Sequence, residues 1–209
     1  MACEKWKNAF GNISRAKSFE ELFMLWKKAH KEIGLNLNKF YPDGVVNDEA
    51  YFNSNPRVLY VLKEPNSGND VSEGDFWFKR QVENKSHHII PTRIKIMQKV
   101  INGNRDLNFV AYININKYGG LNRTNGEKLK EYAYSKEIRP LIKKQIELLA
   151  PDIVVCCGVY EIVKEILSEN PKSILVNMWH PSYKFTNHQK YKEVFEKRFS
   201  ELNIGEKYC

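Results

Sequence analysis

Apolar positions along this chain fall into two kinds of run. Val58-Leu59-Tyr60-Val61-Leu62 is apolar throughout, as is the stretch from Asp152 to Cys157 after its first residue, and Ile174 to Met178 is nearly so. Short continuous apolar runs bounded by turn signals predict strands buried on both faces, the pattern of a parallel sheet. Leu107 to Ile115 reads as a further strand of the set. Elsewhere the apolar residues recur at helical spacing. Residues 18 to 33 carry the stripe Phe19, Leu22, Phe23, Trp26 and Ile33 behind a capping-box pair, Ser18 and Glu21. Helices are also predicted over Thr92 to Val100, stopping near Gly103, and over Lys136 to Leu149, stopped by Pro151. Two more are predicted over Val159 to Leu167, entered through a tight turn at Gly158, and over Gln189 to Leu202. Residues 34 to 56 and 69 to 90 read as irregular, the latter with the aromatic cluster Phe76-Trp77-Phe78.

Strands alternating with helices predict an α/β domain with a central, mainly parallel four-stranded sheet in three α/β/α layers. The domain is expected over residues 56–209, with residues 1–55 as an N-terminal helical extension packed on it. Open α/β sheets gather their ligand sites at the carboxyl ends of the strands. Polar residues stand at those ends here: Glu64-Pro65 after the first strand, Asn114 and Asn116 after the second, and His180-Pro181-Ser182 after the fourth.

Composition narrows the classes. Hydrophobic residues make up 42% and charged residues 28% of the 209, an ordinary globular mixture that suits one domain. A net charge of +8 favours an anionic partner such as nucleic acid, against the plainer reading of a lysine-rich surface. No apolar run approaches membrane-spanning length, and Glu4-Lys5-Trp6-Lys7 stands where a signal peptide would be apolar. Cys3, Cys156, Cys157 and Cys209 lack metal-ligand spacing, so no metal cluster is expected; Cys156 and Cys157 read as small buried hydrophobes. The pattern suits a reducing cytoplasm, the bacterial cytosol or nucleoid. Neither a G-x-G-x-x-G fingerprint nor a P-loop is present, which lowers dinucleotide enzymes and P-loop NTPases.

Each candidate has a plainer alternative. Glu64 could orient or deprotonate a water, or be a solvated glutamate paired with Lys63. Asn114 offers a donor and an acceptor to a base edge, or caps a turn. His180 could stabilise negative charge on a leaving group, or bond locally in a turn. Ser182 could hold a phosphate or cap a helix. The Phe76-Trp77-Phe78 cluster could stack on a base or fill the core. His87-His88 looks like a metal fragment without partner ligands, and a structural or surface role is favoured.

Taken in order, VLYVLKEPNSG from Val58 to Gly68, Asn114 at the tip of YIN, the helix–Pro–strand–Gly–helix unit around residue 151, and NMWHPSYKF resemble the motifs of the uracil-DNA glycosylase superfamily. The similarity covers roughly residues 56–200. Three positions depart from it: Leu62 stands for the opening glycine, Glu64 for the usual Asp or Asn, and Asn66 for the usual Tyr or Gly. The resemblance implies a glycosylase-like protein that hydrolyses the N-glycosidic bond of a uracil or other damaged base flipped from DNA, in DNA repair, as a monomer without metal or other cofactor. Glu64 would then activate water and His180 would stabilise the departing base. Asn114 would read the base, with Trp77 or Phe78 stacked on it. Pro65, Ser67, Pro181, Ser182 and Lys184 would grip the flanking phosphates, with Tyr183 or Lys184 where the family places its duplex-probing wedge. Two alternatives follow from the departures and the charge: a catalytically silent nucleic-acid-binding relative, and an enzyme acting on free nucleosides or nucleotides.

Overall fold

The computed structural model of the protein describes residues 13–65, 76–104, 106–119, 124–168 and 172–202. It is an α/β fold built on a mixed sheet of five strands. The strands are β1 (Gly44–Val45), β2 (Val58–Leu62), β3 (Val110–Asn114), β4 (Ile153–Cys157) and β5 (Ile174–Met178), in spatial order β1-β3-β2-β4-β5. The expected sheet of four thus has a fifth member. The last four strands run parallel in the order β3-β2-β4-β5, and β1 joins antiparallel at the β3 edge, Gly44 opposite Tyr112 and Val45 opposite Ala111. Residues 44 and 45 were expected within a helical extension; they belong to the sheet.

Alternation along the strands divides the core in two. Leu59, Val61, Ala111, Ile113, Val154 and Cys156 face one cluster. It is completed by α1 (Phe19–Glu32), α5 (Gly126–Tyr134), α6 (Arg139–Leu149) and α7 (Tyr160–Ile166). Tyr60, Leu62, Tyr112, Val155, Cys157 and Met178 face the other. That side is covered by α3 (Trp77–Glu83), α4 (Ile89–Asn102) and α8 (His188–Ser200), and a short helix, α2 (Asp48–Phe52), precedes β2. Every residue of β2, β3 and β4 is buried, which is why these strands read as unbroken apolar runs.

Local signals set the helix ends. Ser18 caps α1 by accepting from the Glu21 N–H at 3.2 Å. Gly103 ends α4 in the left-handed region, φ 74°. Both elements run much as expected, although α4 begins at Ile89, with the His88 ring capping Ile90 N–H at 3.3 Å. The segment expected as a loop around residues 76–83 is α3. Its first turn buries Phe78 in the core.

Candidate functional site

The chain leaves β2 and β4 toward opposite faces. From β2 it enters α3 and α4 over the second cluster, and from β4 it enters α7 over the first. Adjacent parallel strands whose connections part in this way open a crevice at their carboxyl ends, where open α/β sheets bind ligands.

The rim of that crevice carries the candidate residues. Asn114 ends β3 in register with Leu62 at the end of β2. Two residues beyond Leu62 stands Glu64, half-buried, whose Oε2 receives the Asn116 Nδ2 amide at 3.5 Å. Asn116 is held in turn: its N–H donates to Lys63 O at 2.9 Å and its Oδ1 accepts Tyr118 N–H at 2.9 Å. Among the described residues no ion pair joins Glu64 to Lys63; the carboxylate partner is an amide.

His180 follows β5. Its Nδ1 accepts the Ser182 backbone N–H at 3.2 Å and lies 2.7 Å from Ser182 Oγ. A backbone N–H only donates, so Nδ1 carries no proton and the neutral ring presents its hydrogen at Nε2. Burial first, and the Lys63 charge second, hold the pKa of His180 down to about 4. The ring is therefore an uncharged donor near neutral pH.

Asn114 is almost fully buried, with 5% exposure. Alternation puts its side chain on the Tyr112 face, and its Oδ1 meets no hydrogen-bond partner among the described residues. Its backbone is fixed by a buried polar hub that the sequence did not disclose. Asn114 N–H donates to Asp43 Oδ2 at 2.7 Å, and Lys117 Nζ donates to Asn114 O at 2.5 Å. Lys117 Nζ also meets Asp43 Oδ1 at 2.7 Å, and Gln145 Nε2 donates to the same oxygen at 3.0 Å. Burial raises the Asp43 pKa and lowers that of Lys117, and their contact opposes both shifts. The Lys117 ammonium lies 4.7 Å from the Trp26 ring centre, and beyond it the His30 ring, bonded to Tyr132 Oη at 2.6 Å, is held to a pKa of about 4 by burial and by Lys117.

A second buried cation holds the other flank. Arg93 of α4, 1% exposed, donates from Nη1 to Pro181 O at 2.9 Å and Tyr183 O at 2.6 Å, and from Nη2 to Thr186 O at 2.6 Å. Its guanidinium lies 4.6 Å from the Tyr191 ring centre. The loop so gathered buries Pro181, half-buries Ser182 and exposes Lys184, with Tyr183 and Phe185 presented side by side.

The other expected residues lie as follows. Pro65 is half-buried beside Glu64, and Ser67 falls outside the described residues. Phe78 does not present an open face: it is fully buried and stacked on Tyr112, centroids 4.3 Å apart and planes 6° from parallel. Trp77 is half-buried, with its ring edge-on to His88 at 5.1 Å. His88 is accounted for by that contact and by its capping bond, and among the described residues no three His, Cys, Asp or Glu side chains gather to hold a metal ion. No helix among them is long and apolar enough to cross a membrane.

No protein-family model matches the sequence, and no curated protein matches it closely enough to establish kinship.

The chemistry therefore has to be read from the rim itself. Asn114 ends β3, and His180 comes over the exit of β4 beside Gly158, two inter-strand steps away, about 10 Å. Neither reaches the other, so a ligand touching both would lie across the ends of β2 and β4. One end of such a ligand would meet a neutral N–H donor at His180, and the other a buried acceptor at Asn114. Glu64, anchored by Asn116, lies between them as a carboxylate able to orient a water.

Proposed function

We propose that this chain is a divergent DNA glycosylase of the uracil-DNA glycosylase type, in a three-layer α/β/α fold, hydrolysing the N-glycosidic bond of a uracil or other damaged base flipped from DNA. The observation that carries the reading is the bond at His180: Nδ1 accepts the Ser182 N–H at 3.2 Å, which assigns the ring proton to Nε2 as a donor. Breaking a glycosidic bond puts negative charge on the base and positive charge on the sugar. A fixed donor at the base stabilises the first, and a carboxylate such as Glu64 stabilises the second while orienting the attacking water. The unpartnered Oδ1 of Asn114 suits an N–H on the base edge, where an unpaired buried acceptor would otherwise cost about 1–3 kcal/mol. The net charge of +8 and the loop carrying Lys184 and exposed Phe185 suit a polyanionic partner.

One observation favours a second reading, a silent nucleic-acid-binding relative. Phe78, one of the two expected stacking residues, is covered by Tyr112. A lesion-containing oligonucleotide panel separates the two. The first reading expects abasic sites from at least one lesion, with His180→Gln and Asn114→Ala each lowering single-turnover rate about 100-fold or more. DNA affinity should change far less. Unchanged turnover in both variants would refute it. Salt-sensitive binding with no base released from any lesion would select the second.

A further inference from the structure

Gly158 stands at the exit of β4 with φ +75°, between the ends of β2 and β5. A Cβ at this position would lie 3.1 Å from Lys63 Cε and 3.7 Å from His180 Cβ. The stem of Lys63 therefore leaves β2 and reaches the end of β4, where the base of the His180 side chain also stands. A larger residue at 158 would push it away. The geometry is held from below. Gly158 N–H donates to Met178 O at 2.7 Å, which ties the exit of β4 to that of β5 two residues before His180. The junction lies at the topological switch point, where ligands enter this class of sheet.

We propose that Lys63 and His180 form an oxyanion-binding site above Gly158, with Lys63 as a second electrostatic group at the leaving-group end of the crevice. An ammonium and a neutral imidazole N–H supply charge and direction together, and in a partly desolvated cleft each is worth more than in water. Gly158, the residue that separates them, brings no side chain of its own. The occupant is an anionic oxygen, either the enolate oxygen of a departing base or a non-bridging phosphate oxygen. The leaving-group assignment rests on the glycosylase reading; the oxyanion site itself does not.

The test uses the full-length protein and the NMR signals of His180, followed against pH and against two probes, inorganic phosphate and 5-nitrouracil, which is anionic at neutral pH. In the free wild type the His180 pKa is low; Lys63→Gln raises it, short of the ordinary histidine value because burial is the larger cause, and Lys63→Arg leaves it low. An unchanged pKa in Lys63→Gln overturns the placement of the ammonium beside the ring. Saturable shifts by 5-nitrouracil, weakened at least tenfold in Lys63→Gln and retained in Lys63→Arg, establish the site and, together with base release from DNA by the wild type, its leaving-group role. Shifts by phosphate alone establish the oxyanion site and overturn the leaving-group role. No shift by either probe overturns both. A wild type that binds 5-nitrouracil but releases no base from DNA defeats the glycosylase reading and leaves the oxyanion site standing.

Discussion

Replacing Lys117 by Met is the sharpest test of how the rim is held. The Lys117 side chain is 0% exposed and that of Asp43 is 2% exposed, so removing the ammonium strands a carboxylate with almost no access to water. Breaking a buried pair on one side costs about 3–5 kcal/mol, because the remaining charge is uncompensated. Asp43 keeps the N–H of Asn114 and the amide of Gln145, which softens the loss, while Asn114 O loses its donor. The net expectation is about 4 kcal/mol, or roughly 8–16 °C in Tm for a domain of this size. Replacing both partners, Lys117→Met with Asp43→Leu, removes both charges and leaves the Asn114 N–H, the Gln145 amide and Asn114 O without their partners, at about 1–3 kcal/mol for each group that water does not reach. The double variant should thus lose less than the two single variants summed, since no stranded charge remains in it, with a coupling of about 2 kcal/mol or more in a double-mutant cycle read by urea denaturation at pH 7. His30 supplies an independent readout. Its pKa of about 4 is depressed partly by Lys117 and should rise in Lys117→Met. A loss below about 1 kcal/mol in the single variants, or strict additivity in the double, would refute the buried-pair argument.

Two further outcomes follow from the same buried groups. Arg93→Lys keeps the charge but not the fork that reaches the carbonyls of Pro181, Tyr183 and Thr186, so it should lose about 2 kcal/mol in urea denaturation and speed amide exchange in residues 181–186; a loss under about 0.5 kcal/mol would mean that the loop holds itself. Acid should destabilise the fold through His30 and His180, whose pKa values of about 4 lie below the ordinary 6.5. The unfolded chain takes up these protons first, so the stabilisation is complete above about pH 6.5 and is lost as pH falls toward 4, on the order of 3 kcal/mol for each ring. Unfolding free energies that stay level between pH 7 and 4.5 would show that both rings titrate normally.

β2, β3 and β4 were legible because both their faces are buried, which leaves an apolar signature along each, and β5, at the sheet edge, departs from it only at exposed Asn177. β1 has two residues, too few for any periodicity. Helix α5 buries only Leu129 and Ala133 along its length, so its stripe is too thin to stand out from a polar loop. Helix α3 was obscured by its own aromatics, which drew attention to stacking when Phe78 is core. The strand-end positions of Glu64, Asn114 and His180 could be read from the chain, because a polar residue directly after a buried strand has few other places to go. Their supports could not. Asp43 sits in Pro42-Asp43-Gly44, which reads as a turn, and its partner Lys117 is 74 residues away. Arg93 did leave a trace: it falls three residues after Ile90 and four before Met97, on the buried stripe of α4, where a solvated charge does not belong.

The two ends of the sheet are built differently, and the difference bears on function. At the amino ends, Arg57 and Asp152 pair at 3.5 Å with side chains 31% and 28% exposed, an ion pair that contributes little beside the Arg57 N–H bond to Asp152 Oδ2 at 2.8 Å. At the carboxyl ends, Lys117 and Arg93 are buried on opposite faces of the sheet. The first fixes the backbone where β3 becomes Asn114, and the second gathers the loop that follows His180. Apolar side chains of similar volume would often hold such places at least as stably. What a buried cation adds is direction: each of its donors specifies a particular carbonyl or carboxylate. A rim whose two flanks are set by such contacts keeps Asn114 and His180 at one separation across the crevice. That is the demand a rigid planar ligand makes on residues that cannot reach each other.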